Sequence, residues 1–277
     1  MRDLAQATIL ITGATDGLGK RVAQELATRG AAVLLHGRDG ESLEATLGEI
    51  RRETGNKKLG SYLADLSSLG QVRALAGRVF SDQDRLDVLI NNAGVFARER
   101  EESEDGFELT FAVNYLAHFL LAGLLLPLLR DSAPARVVNV ASAGQSPVDF
   151  DDIMLERRYD GMRAYTQSKL AQIMFTFELA EKLSGSGVSV NALHPASLMD
   201  TKMVVESLGY TMSTVQEGAD ATVRLATSPD VEGVTGRYFD GDQEARANQQ
   251  AYEAGARKRL WTLSEELCGP FLAPLPR

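Results

Sequence analysis

The chain has 277 residues, 44% of them apolar, enough to bury a large core within one α/β domain. Its formal net charge of −9 opposes binding to nucleic acid or anionic lipid, because their phosphates are held by surplus Lys and Arg. One cysteine, Cys268, and three histidines exclude a disulfide framework and a Cys/His zinc centre, so no metal site is expected.

At the amino end, Asp3 puts an acid where an export signal builds its basic and apolar regions, so the expectation is a protein of the reducing cytoplasm. Short aliphatic runs then alternate with longer amphipathic ones. Thr8 to Ile11, Ala32 to Leu35, Leu59 to Leu63, Leu86 to Ile90, Arg136 to Val140, Val188 to Leu193 and Arg237 to Phe239 read as strands. Strands that are apolar throughout need cover on both faces, which predicts a Rossmann-type doubly wound parallel sheet of about seven strands flanked by helices. The most apolar stretch, Phe119 to Leu129, contains Pro127 and is about half the ~20 residues a bilayer requires, so it reads as a buried helix. Asp242 to Arg259 is polar and charged. It predicts a surface helix or loop, with Gly269-Pro270 and Pro274-Leu275-Pro276 ending regular structure. A single domain over residues 1–277 is expected, with residues 243–277 as a tail packed on it.

Between the first strand and the helical run Lys20 to Arg29 lies Thr12-Gly13-Ala14-Thr15-Asp16-Gly17-Leu18-Gly19. Glycines at a strand-to-helix turn let backbone amides approach a pyrophosphate, and the helix amino terminus directs partial positive charge at it. A glycine-rich turn elsewhere makes only a tight bend; this placement points to a dinucleotide. Gly13, Thr15, Asp16, Gly17, Leu18 and Gly19 are therefore the candidate phosphate contacts.

The spacing G-x-x-x-G-x-G resembles the short-chain dehydrogenase/reductase family, and further segments resemble it in order. These are Asp65-Leu66 after the third strand, Asn91-Asn92-Ala93-Gly94 after the fourth, Asn114 in the run Phe111 to Leu121, and Ser142 after the fifth. Tyr165-Thr166-Gln167-Ser168-Lys169 then gives Y-x-x-x-K, and His194-Pro195-Ala196 follows the sixth strand. The resemblance implies cofactor contacts at Asp65, Leu66, Asn91, Ala93, Gly94, Tyr165, Lys169, Pro195 and Leu198. It implies catalysis by Tyr165 as general acid/base. Lys169 would lower the Tyr165 pKa and hold the nicotinamide ribose, Ser142 would bind the substrate oxygen, and Asn114 would anchor a proton-relay water. The chemistry agrees with the spacing. Residues four apart on a helix share a face, and a phenol with pKa near 10 needs a nearby cation to become a useful acid/base. Taken alone, the same pair also reads as a surface Tyr/Lys on an amphipathic helix.

The second strand ends His36-Gly37-Arg38-Asp39. NAD-preferring relatives place a carboxylate where Gly37 stands, and Arg38 offers a planar fork for a 2′-phosphate, so NADP(H) is favoured over NAD. The bland alternative is a solvated arginine, with Asp39 capping the helix Glu41 to Arg52. The long segment Gln145 to Glu156 resembles the retinol-dehydrogenase-like branch. Its Phe150, Ile153, Met154 and Leu155 are expected either to line an apolar pocket for a lipophilic or aromatic carbonyl, or to pack the loop on the body. Asp200 to Met212, with Met199, Met203 and Met212, reads as a lid or as core filling.

The leading expectation is thus an NADP(H)-dependent carbonyl reductase or alcohol dehydrogenase acting on a small molecule. The alternatives are a catalytically idle NADP-binding redox sensor and a sugar-nucleotide epimerase or dehydratase. For assembly, the run Phe111 to Leu129 is apolar on nearly every face. Its Tyr115, Phe119, Leu120, Leu124 and Leu128, with Ile173, Met174, Phe177 and Leu179 of the Tyr/Lys helix, predict a homodimer through a four-helix bundle. The alternative is a monomer in which the segment around Leu260, Trp261 and Leu263 folds back over that patch.

Overall fold

The computed structural model describes residues 3–275; Met1, Arg2, Arg277 and Pro276, the last residue of the Pro274-Leu275-Pro276 segment, lie outside the described residues. Strands β1 (Thr8–Ile11), β2 (Ala32–Gly37), β3 (Leu59–Leu63), β4 (Val88–Asn91), β5 (Ala135–Val140), β6 (Val188–His194), β7 (Arg237–Asp240) and β8 (Gln243–Glu244) form one sheet. Their spatial order is β3-β2-β1-β4-β5-β6-β7-β8, parallel except for the β7–β8 pair. The seven parallel strands are those expected from the apolar runs. The eighth arises because Gly241, at φ 59°, turns the chain so that Asp240 pairs with Gln243.

Helices α1 (Gly17–Thr28), α2 (Gly40–Thr54) and α7 (Val215–Thr227) lie on one face, where Val22, Leu26, Leu47, Ile50 and Val223 meet the strand residues Ile9, Ile11, Val33 and Leu35. Helices α3 (Leu69–Asp82), α4 (Leu109–Asp131) and α5 (Gly161–Lys182) cover the other, burying Val72, Leu75, Leu120 and Leu170 against Leu10, Leu89 and Val137. A short helix, α6 (Lys202–Leu208), follows β6, and α8 (Ala254–Cys268) closes the chain. Local chemistry sets the helix starts. Asp39 Oδ1 accepts from Ser42 N at 2.8 Å, and Thr214 with Glu217 forms a capping box.

The order in which strands are added reverses between β1 and β4, which run parallel. The first βαβ units build outward to β3, and the chain then returns to add β4 on the other side of β1. A crevice opens at the carboxyl ends of such diverging strands, and both the glycine turn and the Asn91 to Gly94 segment sit there.

Helix α4 is 23 residues long, twice the run expected from composition, and so long and apolar enough to cross a membrane; 83% of its apolar window is nevertheless buried inside this fold. Two things cover it. Helix α5 packs along it, and α8 folds back across both. Phe119 and Trp261 meet edge to face at 5.0 Å between ring centroids, Phe175 stacks on Trp261 at 6.1 Å, and the hydroxyls of Tyr115 and Ser264 lie 2.7 Å apart. Arg257 bonds Glu181, and the Lys182 ammonium sits 4.6 Å above the Trp261 ring. The apolar residues Tyr115, Phe119, Leu124, Ile173, Met174 and Leu179 are therefore buried by the chain itself.

Candidate functional site

The glycine turn is held from below by two side chains. Thr12 Oγ1 accepts from the backbone N–H of Asn92 at 2.9 Å and of Ala93 at 3.0 Å, and Asn92 Nδ2 donates to the carbonyls of Thr12 and Gly13. The two loops at the switch point are thus one unit. Gly13 sits at φ +64°, where a Cβ would lie 2.9 Å from Ala93 Cα; a Cβ on Gly19 would lie 2.1 Å from the Gly13 carbonyl oxygen. Helix α1 starts at Gly17, whose amide is taken by Asp16 Oδ1 at 2.7 Å. The next amides, of Leu18 and Gly19, have no intrahelical carbonyl by position and remain for an anion.

Asn92 is the side chain that sequence reasoning passed over. The expected contact, Asn91, is fully buried; its Nδ2 donates to Asn139 Oδ1 at 2.8 Å, and Asn139 Nδ2 in turn donates to Thr176 Oγ1. Side chains alternate along a strand, so consecutive asparagines at a strand end face opposite ways. Asn91 can reach the crevice through its backbone alone.

Asn114 lies in a π-helical turn, Ala112–Leu116, inside α4. Its amide bonds Val95 in both directions, at 2.8 and 3.1 Å, and donates to Ser168 Oγ at 3.0 Å. One residue therefore ties the Gly94 loop, α4 and the Tyr/Lys helix together. The side chain is fully engaged in this tie, as a helix asparagine bonding neighbouring backbone would be.

On α5, the predicted i, i+4 pair converges as expected. Lys169 is buried, donates to the Val140 carbonyl at 3.0 Å, and lies 5.5 Å from the centroid of the Tyr165 ring. Its Nζ stands 3.6 Å from where a Gly94 Cβ would be, so the ammonium closes the floor beside the nucleotide crevice. Burial pushes the Lys169 pKa down to about 7. Tyr165 is half-buried; burial raises its pKa, and the nearby Ser142 hydroxyl pulls it back down. Ser142 Oγ itself accepts from Gly144 N at 3.1 Å. Ser146, the other serine after β5, bonds Thr166 at 2.8 Å.

The Ser142 turn has supports that no sequence signal marked. Its carbonyl accepts from Tyr238 OH at 3.1 Å and Gln145 Nε2 at 3.0 Å, and Gln145 Oε1 accepts from Asn248 N at 2.7 Å. Tyr238 belongs to β7, 96 residues away in sequence, so only the fold brings it here.

The segment Gln145 to Glu156 packs on the body of the domain. Leu155 is fully buried, Phe150 lies under the Arg259 guanidinium in a groove against α8, and Ile153 and Met154 pack on the core. Gln167 fixes the loop by accepting from Asp149 N and donating to Ile153 O. After β6, Pro195 is buried and Leu198 adopts φ +47°, its carbonyl accepting from Met212 N at 2.9 Å. Thr201 caps α6, and its methyl lies 3.2 Å from where a Gly17 Cβ would be. Arg98, from the loop beyond Gly94, donates to the Glu206 carbonyl at 2.5 Å. Helix α6 therefore bridges the crevice. Met199 packs against Gly218 of α7 as core filling, whereas Met212 is 71% exposed.

At the end of β2, Gly37 is buried and a Cβ there would lie 2.6 Å from Thr15 Cγ2, so a side chain at this position requires Thr15 to shift. Arg38 is exposed and makes no hydrogen bond or ion pair with the described residues. Asp65 is half-buried with its carboxylate accepting from Ser67 N at 2.9 Å, and Leu66 is buried. Among the described residues no three His, Cys, Asp or Glu side chains gather as metal ligands do.

The short chain dehydrogenase family model matches residues 7–210. Retinol dehydrogenase 13 of Mus musculus is 40% identical over 283 residues, covering 96% of this chain and 85% of the relative. A solved structure from Mycobacterium paratuberculosis superposes with a TM-score of 0.80 at 32% identity, covering 99% of this chain and 97% of that one. The Pseudomonas aeruginosa RhlG/NADP active-site complex superposes with a TM-score of 0.71 at 28% identity, covering 87% and 98%. The chain belongs to the short-chain dehydrogenase/reductase family, on its retinol-dehydrogenase-like branch, and is an oxidoreductase acting between alcohol and carbonyl groups with a nicotinamide cofactor.

Proposed function

We propose that this enzyme is an NADP(H)-dependent carbonyl reductase or alcohol dehydrogenase acting on a small lipophilic or aromatic substrate. The observation that carries this reading is the buried Lys169 ammonium 5.5 Å from the centroid of the Tyr165 ring and bonded to the end of β5, the strand that Ser142 follows, beside the glycine cradle. The cradle suits a nicotinamide dinucleotide. Glycine at 13 and 19 lets the turn pack closely on itself and on Ala93, where any side chain would clash, and the Leu18 and Gly19 amides are left for an anion. When bound, the cofactor supplies or accepts the hydride.

In the proposed reduction, Ser142 donates to the substrate oxygen and stabilises charge developing there. Tyr165 delivers the proton to the same oxygen. Its raised pKa keeps the phenol protonated at neutral pH, which suits an acid. Lys169 in its charged form favours the phenolate left behind and holds the nicotinamide ribose. Asn114 has spent its side-chain amide, so its proposed relay water would rest on its main-chain carbonyl within the π turn. Asp65, Leu66, the Asn91 backbone, Ala93, Gly94, Pro195 and Leu198 complete the proposed cofactor contacts.

Preference for NADP(H) over NAD rests on Gly37 and Arg38 together. Gly37 brings no carboxylate to repel a 2′-phosphate, and the unpaired guanidinium next to it matches that phosphate. We also propose a monomer, since α8 occupies the face a two-fold helix pairing would need.

Tyr165→Phe is expected to cut NADPH-dependent turnover of a reactive ketone or aldehyde by at least ~100-fold while NADPH binding stays nearly unchanged. Retention of most of the rate would favour the idle redox sensor. Arg38→Ala is expected to weaken NADPH by about ten-fold or more and NADH little, in fluorescence titrations, because only NADPH offers the charge-assisted bond. Equal losses would return Arg38 to a solvated surface role. Light scattering at micromolar concentration is expected to give the chain mass of 30.0 kDa, and twice that mass would restore the homodimer.

A further inference from the structure

His36 carries no part of the reaction described above, yet it is 2% exposed and touches the ends of three strands. Its Nδ1 lies 3.2 Å from the backbone N of Gly13, and its Nε2 lies 3.0 Å from the Ala64 carbonyl oxygen beyond β3. Its own carbonyl accepts from Ala14 N at 2.8 Å. A backbone N–H only donates and a carbonyl only accepts, so these contacts fix the ring's protons. Nδ1 is the acceptor, Nε2 carries the hydrogen, and the ring is neutral. An imidazolium would set an N–H against the Gly13 N–H. Burial accordingly moves the His36 pKa down to about 4, against the pull of the Ala64 carbonyl and Asp65.

The bond to Gly13 falls on the residue that opens the phosphate turn. Gly13 is pinned from the other side by Ala93, and Asn92 holds its carbonyl. With its amide turned inward to His36, Gly13 leaves the anion to the first-turn amides of α1. Arg38 follows two residues after His36 at the end of the same strand, so one ring sets both the turn and the base from which Arg38 reaches.

We infer that His36 is a positioning residue for the dinucleotide: its neutral Nε2–H imidazole holds the Gly13 peptide and the end of β2 in the arrangement that binds the cofactor phosphates. This rests on the nucleotide reading of the same crevice. Two substitutions separate the bond that matters from general packing. His36→Asn puts an amide oxygen near the position of Nδ1 and can still accept from Gly13, whereas His36→Gln puts an amide nitrogen near Nε2 and leaves the buried Gly13 N–H unpaired.

The experiment is fluorescence titration of NADPH with wild type and both variants, alongside kcat at saturating NADPH and thermal midpoints. His36→Gln is expected to weaken NADPH by about ten-fold and His36→Asn by no more than about three-fold, with kcat nearly unchanged and similar thermal losses in both. Equal affinity changes in the two variants would overturn the inference. Failure of the wild type itself to bind NADPH would overturn the nucleotide reading and the inference with it. If either variant does not fold, the tautomer decides the matter. Nitrogen NMR of the wild type at neutral pH is expected to show a bare Nδ1 and a protonated Nε2, and the opposite tautomer or an imidazolium would overturn the inference.

Discussion

A lysine buried under the carboxyl ends of the strands is the constraint around which this site is arranged. Taking an ammonium out of water is costly unless it is hydrogen-bonded or gives up its proton, and Lys169 has one carbonyl acceptor, that of Val140. Holding it there requires a rigid helix entering the core with apolar residues on most of its faces. Helix α5 satisfies this because Leu170, Ile173, Met174, Phe175 and Leu179 surround the polar positions, and because α4, α8 and the sheet supply enough buried surface. The Asn114 tie, which sets α5 against the Gly94 loop, serves the same requirement.

Burial drives the two members of the pair in opposite directions. Tyr165 is pushed towards its protonated form and Lys169 towards its unprotonated one, so near neutral pH the lysine charge is only partly present. In the proposed reaction this tunes the site. The cation that favours the phenolate is available in proportion to the proton on Lys169, and the Ser142 hydroxyl supplies the remaining pull on the Tyr165 proton.

What was legible in the chain and what was not divides along physical lines. Local patterns were readable, because they depend on neighbours in sequence. The seven parallel strands followed from continuous apolar runs, the cradle from glycines between strand and helix, the Tyr165/Lys169 pair from i, i+4 geometry, and the Asp39 cap from its position before α2. Contacts between distant segments were not. Asn91 and Asn92 differ only in which way a strand end points them, and Tyr238 and Gln145 reach Ser142 through the order of the sheet. Phe150 and Leu155 illustrate the ambiguity of apolar residues. Composition allows a pocket or a packed loop, and the Gln167 bonds at Asp149 and Ile153 decide for packing. The apolar face of α4 raised the same question at larger scale: composition allowed either a second copy or the segment around Leu260, Trp261 and Leu263 as its cover, and Trp261 and Ser264 supply the cover within the chain.

The central claim is that Lys169 is held in a site that destabilises its charge, and the most direct measurement is the stability of wild type against Lys169→Met, by urea denaturation without cofactor, across pH. The folded-state pKa lies near 7 and the ordinary value is 10.5, so between these values the unfolded chain holds more protons and wild-type stability rises with pH. Lys169→Met lacks this dependence. The variant is therefore predicted to be the more stable by a few kcal/mol at pH 7, with the gap closing steadily as pH approaches about 10.5. A gap that stays constant from pH 7 to pH 10 would mean that Lys169 keeps its ordinary pKa, and would contradict the account.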